Sequence, residues 1–161
     1  VKRVVVTGIG VVTPLGIGIE SYWQNLRAGK SGISFITRFS SEGYPTRIAG
    51  EIKHFRLSKS LLAAAGNPRG LFSHYAVQAA AEAWRDAGLD GVALKGETVG
   101  VSLGTSRGGV ELLDEFLLHL RLGGVKKVND PLWDGVILEA QPAAATAAVA
   151  RLIGARGFTS T

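Results

Sequence analysis

Val4, Val5 and Val6 form a β-branched run that leads into Gly8 and Gly10. Apolar residues at successive positions predict a strand buried on both faces, as in an α/β sheet. Thr13, Pro14, Leu15 and Gly16 break that run, because proline donates no ladder hydrogen bond and glycine permits a turn. Over residues 20–28 the pattern becomes helical, with Tyr22, Trp23 and Leu26 on one face and Gly29 as the stop. Residues 31–56 mix Gly, Pro, Ser and isolated aromatics. They predict a long excursion with short strands, one of them within residues 46–52. A short helix follows over residues 57–62, with Ser58 as its cap.

Residues 72–87 carry the clearest helical pattern, closed by Gly88. The stripe Ala76, Ala79, Ala80, Ala83 and Ala87 suits close packing against a sheet or another helix. Residues 99–103 read as a second central strand, which leaves into a loop holding Gly104, Gly108 and Gly109. Leu112, Leu113, Phe116, Leu117 and Leu120 keep helical spacing across residues 111–121. A further alanine-rich helix spans residues 142–153, with Pro142 in its first turn. Beyond Gly154 and Gly157, residues 158–161 begin a strand. The order strand–helix–helix–strand–helix–helix–strand is an α/β layout. A central strand cut off at its fourth residue predicts that residues 1–161 are the N-terminal part of a larger polypeptide, with no separate second domain among them.

Composition narrows the chemistry. The 161 residues are 46% hydrophobic and carry a formal charge of +5, which excludes a disordered chain. With no Cys there is no disulfide framework, thiolate metal site or cysteine nucleophile within them. No stretch reaches the roughly 18 uninterrupted apolar residues of a membrane span, so a cytoplasmic protein off the membrane is expected. The basic residues are scattered, Lys2–Arg3 and Lys126–Lys127 being the only doublets, and no nucleic-acid-binding signature appears.

Several motifs fail on their spacing. Gly8-Ile9-Gly10 opens like a dinucleotide fingerprint, but the third glycine is missing and Pro14 sits where the helix should begin. Gly29-Lys30-Ser31 mimics the tail of a P-loop, yet Gln24 occupies the required glycine position. His54, His74 and His119 share no metal-ligand spacing, and a satisfied, partly buried side chain is the default for His74. Trp84 and Trp133 read as packing residues. Asp86, Glu111, Asp114 and Glu115 read as solvated helix faces or i,i+4 pairs. The loop of residues 104–109 lies after a buried strand and before a helix, where open α/β sheets place ligands. Its glycines fit close backbone approach, positive φ, or a plain tight turn.

In their order, these segments resemble the N-terminal part of a β-ketoacyl-acyl carrier protein synthase, an elongating condensing enzyme of the thiolase superfamily. The resemblance rests on Arg3 through Gly10 with Thr13-Pro14-Leu15-Gly16, Trp23 through Ile33, residues 72–88, residues 99–109, and residues 154–157 entering the last strand. It implies a layered αβαβα fold of which only part of the N-terminal half is present. It also implies decarboxylative Claisen condensation of a malonyl carrier with an acyl thioester, on a cysteine expected just beyond residue 161. The two histidines that assist decarboxylation would lie far downstream. No catalytic residue, metal site or cofactor is therefore expected within the 161 residues, which should be inactive alone.

The resemblance places Thr105, Ser106, Arg107, Gly108 and Gly109 along the acyl pocket. It also places Lys126 and Lys127, with Arg69, on the surface that meets the acidic acyl carrier protein. Three features depart from the family: Arg107 stands where many relatives have a small or aliphatic residue, the basic cluster around Arg69 is thinned, and Gln141-Pro142-Ala143 replaces a common asparagine. A homodimer is expected. The alternatives are a non-catalytic partner subunit like a chain-length factor, and an unrelated nucleotide-binding α/β domain.

Overall fold

The computed structural model describes residues 3–123 and 131–161. The chain divides into two compact units, Val1–Arg56 with Gln78–Asp90, and Leu57–Val77 with Gly91–Thr161.

In the first unit, β1 (Val12–Thr13) and β2 (Gly16–Ile17) form an antiparallel hairpin, with Val12 opposite Ile17 and Thr13 opposite Gly16. The Pro14-Leu15 pair is thus the turn of a hairpin and not simply the end of a strand. Helix α1 (Ile19–Arg27) packs on β2, and Gly29 leaves it at φ 65°. A second antiparallel pair, β3 (Ser34–Phe35) and β4 (Ile48–Ala49), supplies the short strands expected of this region.

Glu51 closes that pair. Its carboxylate accepts from the Thr37 hydroxyl at 2.7 Å and the Thr37 amide at 3.0 Å, while Lys53 Nζ donates to Ser34 Oγ at 2.9 Å. The Thr37 hydroxyl, then the Thr37 amide, holds the Glu51 carboxyl below its ordinary value; partial desolvation opposes them, and the Arg38 amide and Lys53 charge add to the lowering.

The remainder of the first unit is organised by the C-terminal half of α3 (Leu71–Asp86), which ends before Gly88 at φ 68°. A Cβ on Gly10 would overlap the Ala79 carbonyl oxygen and lie 2.9 Å from the Ala83 amide nitrogen. One on Gly8 would overlap the Ala83 carbonyl oxygen. The alanine stripe is therefore matched by glycines, and Gly8 and Gly10 serve helix packing. Two acidic side chains hold the contact: Asp86 accepts from the Ile9 amide at 2.8 Å, and Glu82 accepts from Val11 at 2.8 Å and Ile19 at 2.7 Å. Glu82 so bridges the two ends of the β1–β2 hairpin.

The expected burial of the valine run is not observed. Val4 and Val6 are 95% and 82% exposed, and residues 3–11 join no ladder among the described residues. Burial on both faces needs neighbouring strands and a layer on each side, and the first unit supplies only α3.

The second unit holds the core: Ala65, Val77, Val101, Val136, Ala140, Ala145, Ala148 and Val149 are its buried apolar side chains. Ser58 caps α2 (Lys59–Ala64) by accepting from the Leu61 amide, as its sequence predicts. The N-terminal half of α3 follows, and Glu111 accepts from the Leu71 amide at 2.9 Å, placing a carboxylate at that helix N-terminus. After a 3-10 turn at Gly96–Thr98 come β5 (Val101–Ser102) and α4 (Val110–Gly123). A 3-10 turn at Pro131–Trp133 leads to α5 (Val136–Ala140), a helix that the sequence pattern did not announce. Last are α6 (Ala143–Ile153) and β6 (Thr159–Ser160), which pairs parallel to β5.

Gly10→Ala is expected to destabilise the intact protein by at least the roughly 1–3 kcal/mol of an overpacked core. Gly104→Ala, whose methyl would meet no atom within 4 Å, should stay within about 0.5 kcal/mol; urea unfolding midpoints compare the two. Because the Glu51 pKa is lowered on folding, its contribution is complete above the ordinary glutamate range and is lost as pH falls through the lowered folded value. Thr37→Val should raise the Glu51 titration midpoint measured by NMR, and an unchanged midpoint would contradict the assigned cause.

Candidate functional site

The candidate site is built on the parallel β5–β6 pair. Val101 lies opposite Thr159 and Ser102 opposite Ser160, and the bonds continue beyond the assigned strands. The Val101 amide donates to Phe158 at 3.0 Å, Leu103 to Ser160 at 3.0 Å, and Gly157 to Val99 at 3.0 Å. Glycines at both entrances allow this approach. A Cβ on Gly100 would lie 2.7 Å from the Phe158 carbonyl oxygen, and one on Gly157 would lie 2.7 Å from that of Val99. Parallel strands end on the same side. The loop that leaves β5 at Gly104 therefore begins beside Thr161, which leaves β6.

Helix α6 packs on both strands. Its buried Thr146 hydrogen-bonds through Oγ1 to the Thr161 hydroxyl. The sequence offered no sign of this contact, because Thr146 lies among alanines and its partner is 15 residues away.

The loop glycines have separate jobs. Gly108 has φ 66°, and a Cβ there would come 2.5 Å from the Ala140 carbonyl oxygen and 2.8 Å from the Pro142 nitrogen. Gly109 donates to Ala140 O at 2.9 Å. Both close approach and positive φ are thus used, which fastens the loop to the end of α5. Gly104 faces open space. Thr105, Ser106 and Arg107 are exposed beside it.

Arg69 is also exposed, and its guanidinium donates to the Asp134 carbonyl at 2.7 Å. Its neighbour Gly70 faces the same Phe72 ring as Gly109, so the two segments converge on that ring and on α5. Lys126 and Lys127 lie outside the described residues.

The other candidates resolve into structural roles. His74 Nε2 sits 2.7 Å from the Pro68 carbonyl oxygen, the satisfied histidine that its setting predicts. Trp133 packs against Phe116 and His119, at ring separations of 5.6 and 5.0 Å. Asp86 and Glu111 lie exposed on their helices, as read from sequence, and they also accept from backbone amides 77 and 40 residues away. Among the described residues no group of histidine and acidic side chains could hold a metal ion, and no helix is long and apolar enough to cross a membrane. A cleft of about 320 Å³ between Thr13, Ser31, Glu51 and Lys53, and one of about 290 Å³ between Pro68, Glu139 and Arg151, lie apart from the loop's own residues.

Comparison with known proteins converges on one family. The N-terminal domain of β-ketoacyl synthases matches residues 1–161. The chain is 36% identical over 137 residues to 3-oxoacyl-[acyl-carrier-protein] synthase 2 of Coxiella burnetii, covering 85% of this chain and 33% of that protein. The ishigamide ketosynthase/chain length factor superposes with a TM-score of 0.78 at 28% identity, covering 98% of this chain and 38% of its own. A type II polyketide synthase structure, an acyl carrier protein in complex with its ketosynthase bound to the hexaketide, gives 0.70 at 25% identity, covering 98% and 36%. The fold is thiolase-like, as its sequence implies, and the chain spans about a third of the length of the relatives it matches.

Gly108→Ala is expected to free the loop from α5, costing roughly 1–3 kcal/mol and raising amide exchange across residues 104–110. Exchange equal to that of the unaltered protein would contradict the fastening role of Gly108.

Proposed function

The chain belongs to the β-ketoacyl synthase family, as part of the N-terminal domain, and on that premise we propose that the whole protein is a 3-oxoacyl-acyl carrier protein synthase. The observation that supports this reading is the parallel β5–β6 ladder, which sets the Gly104 loop beside Thr161. A nucleophile there would stand at the mouth of a pocket bordered by Thr105, Ser106, Arg107, Gly108 and Gly109.

The chemistry asks for a cysteine thiolate shortly after Thr161. Its sulfur attacks the carbonyl carbon of an acyl carrier thioester, a carbon–sulfur bond forms, and the carrier thiolate departs and takes up a proton. Decarboxylation of a malonyl carrier then leaves an enolate. That carbon attacks the acyl-enzyme, the cysteine leaves, and the chain is two carbons longer. Backbone donors are the natural stabilisers of the charge that develops on oxygen.

Arg107 is the residue that would distinguish such a pocket. A guanidinium turned toward an apolar acyl chain is costly unless paired, so the reading favours short or polar acyl groups, or an Arg107 that stays in solvent, where it stands now. Lys126 and Lys127 would steer the acidic carrier protein, and Arg69, already bonded to the Asp134 carbonyl, would add to the positive charge. A homodimer working in the cytoplasm completes the proposal. The similar structure that pairs a ketosynthase with a chain length factor supports a second reading, in which this protein is the non-catalytic partner.

Incubation of the full-length protein with a labelled acyl carrier substrate, followed by peptide mapping, separates the two. The enzyme reading predicts label on a cysteine in the peptide that begins near Phe158, and release of carbon dioxide from the malonyl carrier. A non-cysteine residue there, with transfer only after a second subunit is added, would establish the partner reading. Replacing Lys126 and Lys127 by Glu should raise KM for the carrier about tenfold and leave kcat within about twofold.

A further inference from the structure

Helix α6 reads AAATAAVARLI, and Thr146 is its one hydroxyl residue. Threonine is a poorer helix former than the alanines around it, and at 4% exposure its hydroxyl needs a partner. That partner is the Thr161 hydroxyl, on a residue that is itself exposed. The residue before it is held separately, since Ser160 accepts the Leu103 amide at 3.0 Å. The end of β6 is thus fixed twice in succession, by the backbone of β5 and by a side chain of α6.

A strand end held only by its ladder frays, whereas two anchors from different elements set the direction in which the chain leaves. We infer that Thr146 is a positioning residue for the group that follows Thr161. Its consequence for reactivity rests on the proposed function, in which that group carries the nucleophile. Thr146 is buried. It acts through Thr161, by restricting where the next residues can point.

Thr146→Val keeps the shape of the side chain and removes the hydroxyl, while Thr146→Ser keeps the hydroxyl. In the full-length protein, Thr146→Val should raise amide exchange at Leu103 about tenfold, and Thr146→Ser should restore protection. Acyl transfer from a labelled acyl carrier should show kcat about tenfold lower in Thr146→Val, KM within about twofold, and recovery in Thr146→Ser. Unchanged exchange in Thr146→Val would overturn the anchoring. Faster exchange with an unchanged kcat would overturn the positioning role. A loss in Thr146→Ser with none in Thr146→Val would assign the effect to packing of the methyl group and overturn the hydroxyl contact. Should the unaltered protein transfer no acyl group, the enzyme reading fails, and the exchange comparison still decides the anchoring.

Discussion

Two backbones come within ladder distance at β5 and β6 because neither Gly100 nor Gly157 carries a side chain, and the second unit depends on that approach. A Cβ at either position would lie 2.7 Å from the opposite carbonyl oxygen, so the parallel bonds from Gly157, Val101 and Leu103 could not all form. The direction of the pairing matters as much as its existence. An antiparallel pair would send the two chain ends apart, whereas this one delivers Gly104 and Thr161 to the same side. Helix α6 then covers both strands, and Thr146 ties down Thr161 just after β6.

The first unit uses the same device with a helix in place of a strand. Gly8 and Gly10 lie against Ala79 and Ala83 of α3, and Ala87 just after it, at a distance that no side chain would permit. Of the amides left without a ladder, those of Ile9 and Val11 donate to Asp86 and Glu82, and Glu82 also accepts from Ile19 at the start of α1. Charge-assisted bonds of this kind are among the stronger ones available to a backbone donor. They explain why acidic residues stand at the C-terminal end of α3, where the helix dipole alone would favour bases.

Features decided within a few residues were legible in the sequence. Ser58 as a cap, Gly29 and Gly88 as helix stops, and the helices over residues 19–27 and 143–153 all follow from local chemistry. So does the strand at residues 101–102, set between glycines. The five residues of α5 are too few to display a helical period, and Pro14 concealed a hairpin because a two-residue turn and a strand end share the same residue types. Partners distant in sequence were out of reach. Glu82 with Val11, Glu111 with Leu71 and Thr146 with Thr161 leave no mark in composition or spacing. The glycine loop was found by its position after a strand, but its seat on Ala140 belongs to tertiary structure. Burial of Val4, Val5 and Val6 was overestimated because hydrophobicity records what a segment can cover and not which layer is there to cover it.

A crystal structure of the full-length protein trapped with an acyl group tests the central claim, that the β5–β6 ladder sets the reacting residue beside the glycine loop. The acyl chain should start from a cysteine shortly after Thr161 and run along Thr105, Ser106 and Gly108. An acyl group carried elsewhere, or a chain that leaves Thr161 away from that loop, would contradict the account.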